Sequence, residues 1–220
     1  DSGIALDATG QITRAIKAAA YKGSFGKVLN LVAPADSTLD RIVILGLGNV
    51  DKLGEYHWLR LGGKIQAALA GASKASVMME MPKGKDDKPS SISAHNAAGL
   101  AQGMQLASYR FDRYKTKNKA SSKALSIALH MKGATAAKKA WAEQEGVGEG
   151  VMLARDLVNE PANILTPKEF AKRASALKKL GCSVDVLNEK DMKALKMDAL
   201  LGVARGSRNP PRMAIIRWKG

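Results

Sequence analysis

The chain has 220 residues, of which 45% are hydrophobic and 25% are charged, and this ordinary globular mixture excludes wholesale disorder. No apolar run reaches the roughly 18 residues that a membrane helix needs, so we expect no membrane contact. The single cysteine, Cys182, excludes an internal disulfide framework and is typical of a reducing, cytoplasmic compartment. The formal net charge of +15 favours nonspecific association with anions but does not define a fold.

Short apolar runs alternate with longer Ala- and Leu-rich stretches of helical spacing. The runs predict buried strands at 28–34, 41–48, 76–82, 124–131, 183–189 and 213–218. The stretches predict helices at 6–21, 56–72, 93–111 and 134–160. This alternation predicts an α/β fold, with a mixed sheet flanked by helices in a first domain, followed by the opening of a second α/β domain.

The predicted helix at 134–160 is the candidate connector between the domains. It contains Gly146, Gly148 and Gly150, which weaken it locally, and it ends before Pro161. We therefore place an amino-terminal α/β domain with its connecting helix at 1–158. The second domain begins at 159 and runs to 220.

A new helix begins directly after this boundary. Thr166 is the predicted N-cap, Pro167 occupies the first helical position, Glu169 completes a capping box, and Gly181 closes the helix. A short helix and a Gly/Pro loop at 202–212 follow before the last strand. With only two predicted strands, residues 159–220 bury too little surface to stand alone, so we expect an incomplete domain.

Several isolated signals favour structural roles. A dinucleotide-binding fingerprint in the 44–51 segment would need a glycine where Asp51 stands, so a strand leading into a loop is favoured. Three histidines lack metal-ligand spacing, Cys182 has no base nearby in the sequence, and a carboxylate pair lies in a polar loop. We therefore predict surface or core roles for His57, His95, His130, Cys182, Asp86 and Asp87.

The segment 109–123 is the strongest candidate for nucleic-acid binding. Its cations could bind phosphates and its aromatic rings could stack on bases. The alternative is a helix end whose aromatics pack inward, followed by a solvated basic loop, and this alternative is favoured. The cations are Arg110, Arg113, Lys115, Lys117, Lys119 and Lys123, against one acid, Asp112, with Tyr109, Phe111 and Tyr114 among them.

The loop at 202–212 carries Arg205, Arg208 and Arg212. These guanidinium groups could hold an anion or an acidic partner. A plain connecting loop explains the same residues equally well. The sequence contains no GxSxG motif, phosphate-binding loop or CxxC motif.

Two stretches near the domain boundary are the most specific patterns in the chain. The first stretch, N-E-P-x-N-x-L-T-P, comprises Asn159, Glu160, Pro161, Asn163, Leu165, Thr166 and Pro167. The second comprises Met197, Ala199, Leu200, Leu201, Gly202, Val203, Gly206, Ser207, Pro210, Pro211 and Arg212. Both stretches closely resemble the leucyl aminopeptidase (cytosol aminopeptidase) family, and 109–115 looks like that family's matching amino-terminal element. The resemblance spans essentially the whole chain.

The resemblance implies an exopeptidase that releases amino-terminal residues from peptides. It implies two adjacent divalent metal ions (zinc, manganese or magnesium) that polarise the peptide carbonyl and activate a water. It also implies a homo-hexamer. The family's metal-binding and catalytic motifs do not occur in residues 1–220, so no catalytic, cofactor-binding or metal-binding residue is assigned here.

The sequence leaves three readings of function. The first is the amino-terminal portion of a leucyl-aminopeptidase-like enzyme, inactive alone, with its metals in a missing catalytic portion. The second is nucleic-acid binding, in a DNA regulatory role, by the basic amino-terminal domain. The third is a scaffold that has lost catalysis.

Overall fold

A computed structural model describes residues 7, 9–79, 92–117 and 124–219. The chain divides into two compact units, Asp1–Leu153 and Ala154–Gly220. Each unit combines helices with strands, and the predicted α/β class is confirmed. Within the described ranges, no helix is both long and apolar enough to cross a membrane.

The described strands of the first unit form two two-stranded sheets. One sheet is antiparallel and pairs β1 with β2; the other is parallel and pairs β3 with β4. The strands are β1 (Val28–Val32), β2 (Arg41–Leu45), β3 (Lys74–Met78) and β4 (Ser126–His130). Each overlaps a predicted apolar run, but β3 begins two residues before the predicted start. Its exposed first residue, Lys74, carries no apolar signal.

The described residues of the first unit also include four α-helices. They are α1 (Gln11–Ala18), α2 (Glu55–Ala68), α3 (Ala94–Ala107) and α4 (Ala134–Asn159), the last of which continues past residue 153. The core includes Trp58, Leu61, Leu100 and Met104, all of which lie on α2 or α3. Leu61 is completely buried.

Two glycines allow α2 and α3 to pack closely. A Cβ at Gly62 would lie 2.0 Å from the Leu100 carbonyl oxygen. A Cβ at Gly103 would lie 1.9 Å from the Leu59 carbonyl oxygen. A side chain at either position would therefore push the two helix backbones apart.

The long helix α4 is continuous through all three of its glycines. A Cβ at Gly148 would lie 1.8 Å from the Oε1 atom of Gln105, whereas Gly146 and Gly150 have open space around them. The helix ends at Asn159, one residue before the predicted end. The end of the flexible Gln105 side chain therefore packs against Gly148, and contact does not require a glycine at the other two positions.

The second unit contains three helices, a 3-10 turn and one antiparallel sheet. In chain order they are α5 (Pro167–Ser175), the 3-10 turn (Ala176–Leu180), β5 (Ser183–Leu187), α6 (Glu189–Ala194), α7 (Asp198–Ala204) and β6 (Met213–Arg217). Gly181 ends the turn at φ +89°, as predicted from its glycine. Two short helices stand where one was predicted, and α7 extends into the predicted loop at 202–212.

Candidate functional site

A buried carboxylate follows the end of α4 in the second unit. The Glu160 side chain is 0% exposed, and its Oε2 atom lies 3.5 Å from an Nη2 atom of Arg173 on α5. The Nε atom of Arg173 also donates to the Oε1 atom of Glu169 at 3.1 Å. Two carboxylates therefore share one guanidinium, which links the segment after α4 to the middle of α5.

The electrostatics of this cluster keep the Arg173 guanidinium protonated. The hydrogen bond that Arg173 donates to Glu169, together with the field of Glu160, raises the pKa of Arg173 above its usual range. A guanidinium does not release its proton in proteins. The cluster therefore fixes two chain segments together, and it offers no proton for general acid or base catalysis.

The predicted start of α5 is confirmed, but its capping box is wrong. The Thr166 hydroxyl accepts from the Glu169 backbone N–H at 3.4 Å, and Pro167 occupies the first turn. A capping box would also need a bond from the Thr166 N–H to the Glu169 carboxylate. Instead, the Thr166 N–H donates to the Ile164 carbonyl at 2.9 Å, and the Glu169 carboxylate binds Arg173. The cap therefore satisfies one backbone donor of the helix rather than two.

The glycines of the 44–51 segment serve close packing after β2. A Cβ at Gly46 would lie 2.4 Å from the Ser24 carbonyl oxygen. Gly48 has φ +70° and lies against Phe25. Asn49 then caps a 3-10 turn by accepting from the Asp51 N–H at 3.0 Å. These contacts agree with a strand leading into a loop.

The three histidines lie on different elements and have different surroundings. The Nδ1 atom of His57 accepts from the Gly54 N–H at 3.1 Å, and its ring packs edge-on against Phe25. His95 lies 3.3 Å from Glu55. His130 is an exposed residue at the end of β4. Helix capping and surface contacts therefore account for them.

In the basic segment, local partners take up part of the charge. The Oδ2 atom of Asp112 accepts from the Arg110 Nε atom at 3.1 Å, and its Oδ1 atom forms an ion pair with the Lys115 Nζ atom at 2.6 Å. The Phe111 and Tyr114 rings lie 5.9 Å apart, and Arg113 lies over Phe111. Two of the candidate cations are therefore engaged with a carboxylate, while Lys119 and Lys123 lie outside the described residues. Nucleic-acid binding stays a hypothesis.

The arginine-bearing loop of the second unit borders a cavity of about 260 Å³, lined by Arg205, Arg208 and Glu189 among others. Arg212 instead donates to the Pro211 carbonyl at 2.7 Å. A bond from Lys193 and the field of Arg212 lower the pKa of the Glu189 carboxyl. Because the Glu189 carboxylate lines the cavity together with these arginines, the chain itself already supplies an anion there.

The described residues do not fit a metal ion. Within 7, 9–79, 92–117 and 124–219, no group of three or more His, Cys, Asp or Glu side chains could hold one. Cys182 is half-buried, and its thiol is free. Asp86 and Asp87 lie outside the described residues. No catalytic step through a metal can therefore be derived from these side chains.

Sequence reasoning missed the cluster of Glu160, Arg173 and Glu169. The spacing of Glu169 and Arg173 at i, i+4 was a usable signal, because such residues face each other on a helix. The contact with Glu160 joins residues of different elements. No local pattern could indicate that contact.

Comparisons with known proteins define the class. Residues 1–118 match the model of the cytosol aminopeptidase family, N-terminal domain. Residues 152–220 match the model of the cytosol aminopeptidase family, catalytic domain. A mutant of tomato leucine aminopeptidase has a similar fold, with a TM-score of 0.79 and 27% identity over 96% of this chain and 42% of that one. The fold of this chain is thus similar to that of part of a leucine aminopeptidase.

The chain belongs to the cytosol aminopeptidase family. It is 44% identical over 225 residues to a probable cytosol aminopeptidase of Sinorhizobium fredii, a match that covers 100% of this chain and 44% of that protein. It is 46% identical over 212 residues to one of a Bradyrhizobium species, covering 95% of this chain and 41% of that protein. The chain therefore spans less than half the length of these relatives.

Proposed function

We propose that residues 1–220 are the amino-terminal portion of a leucyl-aminopeptidase-like exopeptidase, which releases amino-terminal residues from peptides. The observation that carries this proposal is the 44% identity to a probable cytosol aminopeptidase over the whole of this chain. Residues 1–158 form the amino-terminal domain with its connecting helix. Residues 159–220 form the beginning of the catalytic domain.

The chemistry of the proposed enzyme resides outside these residues. Two divalent metal ions (zinc, manganese or magnesium) would polarise the substrate carbonyl and activate a water when bound. The bottromycin maturation enzyme BotP, a structural neighbour at 24% identity, has been solved in complex with Mn. The described side chains offer no metal-binding cluster, and in this proposal residues 1–220 alone release no amino-terminal residue. The complete protein is a cytoplasmic homo-hexamer that acts on peptides.

The test compares the 220-residue chain with the protein purified from its source. Intact mass under denaturing conditions measures the length of each polypeptide. Leucine release from a leucyl dipeptide is then followed with added Mn²⁺ or Zn²⁺ and with a chelator. We expect release only by the longer protein, and only with metal. Metal-dependent release by the 220-residue chain, or none by a longer protein loaded with either ion, would contradict the proposal.

A further inference from the structure

We draw no further inference here: the strongest candidate, the cavity bordered by Arg205 and Arg208 in the second unit, carries nothing, because Glu189 already supplies an anion there and nothing in the described residues shows what fills it.

Discussion

Replacing Arg173 by Met tests the buried cluster of the second unit most directly. The variant Arg173→Met leaves the Glu160 carboxylate, whose side chain is 0% exposed, without the guanidinium 3.5 Å away. Removing one partner of a buried ion pair costs roughly 3–5 kcal/mol. Because Arg173 is itself 21% exposed, water can approach the cavity that it leaves, and we expect the lower end, about 3 kcal/mol.

Amide hydrogen exchange measures this loss within the second unit without assuming that the whole chain unfolds in one step. A loss of about 3 kcal/mol corresponds to exchange roughly 100-fold faster at the protected amides of α5 and β5. Lys172→Met is the matched control on the same helix, because Lys172 is 81% exposed and lies 3.9 Å from Glu169. It should change exchange by less than a factor of about three.

The double variant Glu160→Gln with Arg173→Met separates a buried charge from lost packing. Because Gln has nearly the shape of Glu without its charge, most of the stability should return. If the amides of Arg173→Met exchange at rates within about twofold of those of the parent chain, the buried-charge reasoning is refuted. The reasoning is also refuted if the double variant is as unstable as Arg173→Met, since the lost stability would then come from packing.

Three further expectations concern helix packing, capping and pH. Gly62→Ala should destabilise the first unit by about 2 kcal/mol, because its Cβ would lie 2.0 Å from a backbone oxygen. At Gly63 a Cβ would lie 3.8 Å from its nearest neighbour, so Gly63→Ala should be neutral or stabilising by up to about 1 kcal/mol. Thermal unfolding compares the two variants, and equal effects would contradict the packing account. Thr166→Ala should cost about 1 kcal/mol in the exchange experiment on α5, whereas Thr166→Ser should retain most of the cap. A hydrogen bond from the Thr13 hydroxyl lowers the pKa of Asp7. The contribution of Asp7 to stability should therefore be complete above about pH 4 and disappear as the pH falls through the lowered pKa. Asp7→Asn should remove this pH dependence from the unfolding midpoint, and an unchanged pH profile would contradict the expectation.

The sequence predicts the element order well because each element has a local cause. The predicted run at 28–34 is mostly apolar, and Thr166 with Pro167 is a strong helix start. The partner that a side chain binds in the folded structure depends less on its local sequence. Glu169 satisfies the pattern of a capping box, yet its carboxylate binds Arg173, because a guanidinium is a stronger partner for a carboxylate than a backbone N–H.

The candidate sites were harder to judge from the sequence for a related reason, since chemistry in this chain would need residues that converge from distant parts of it. The basic run at 109–117 was visible from composition, but the engagement of Arg110 and Lys115 by Asp112 depends on how the chain turns after α3. Close packing at Gly62 likewise needs a second helix, which no pattern around Gly62 can specify. Local patterns therefore identify elements and their ends, whereas neutralised charges and close backbone contacts become visible only once the elements are packed.

The free edges of β2 and β3 show how these two levels interact. Each strand reads as an apolar run from the sequence, and such a run is consistent with a strand that is paired on both sides. In the described part of the first unit, each strand is paired on one side only, and both open edges meet one apolar cavity. Exposed apolar edges are prone to aggregation unless another strand covers them. The apolar character of β2 and β3 is thus typical of interior strands of a sheet, although the described ranges pair each of them on one side only.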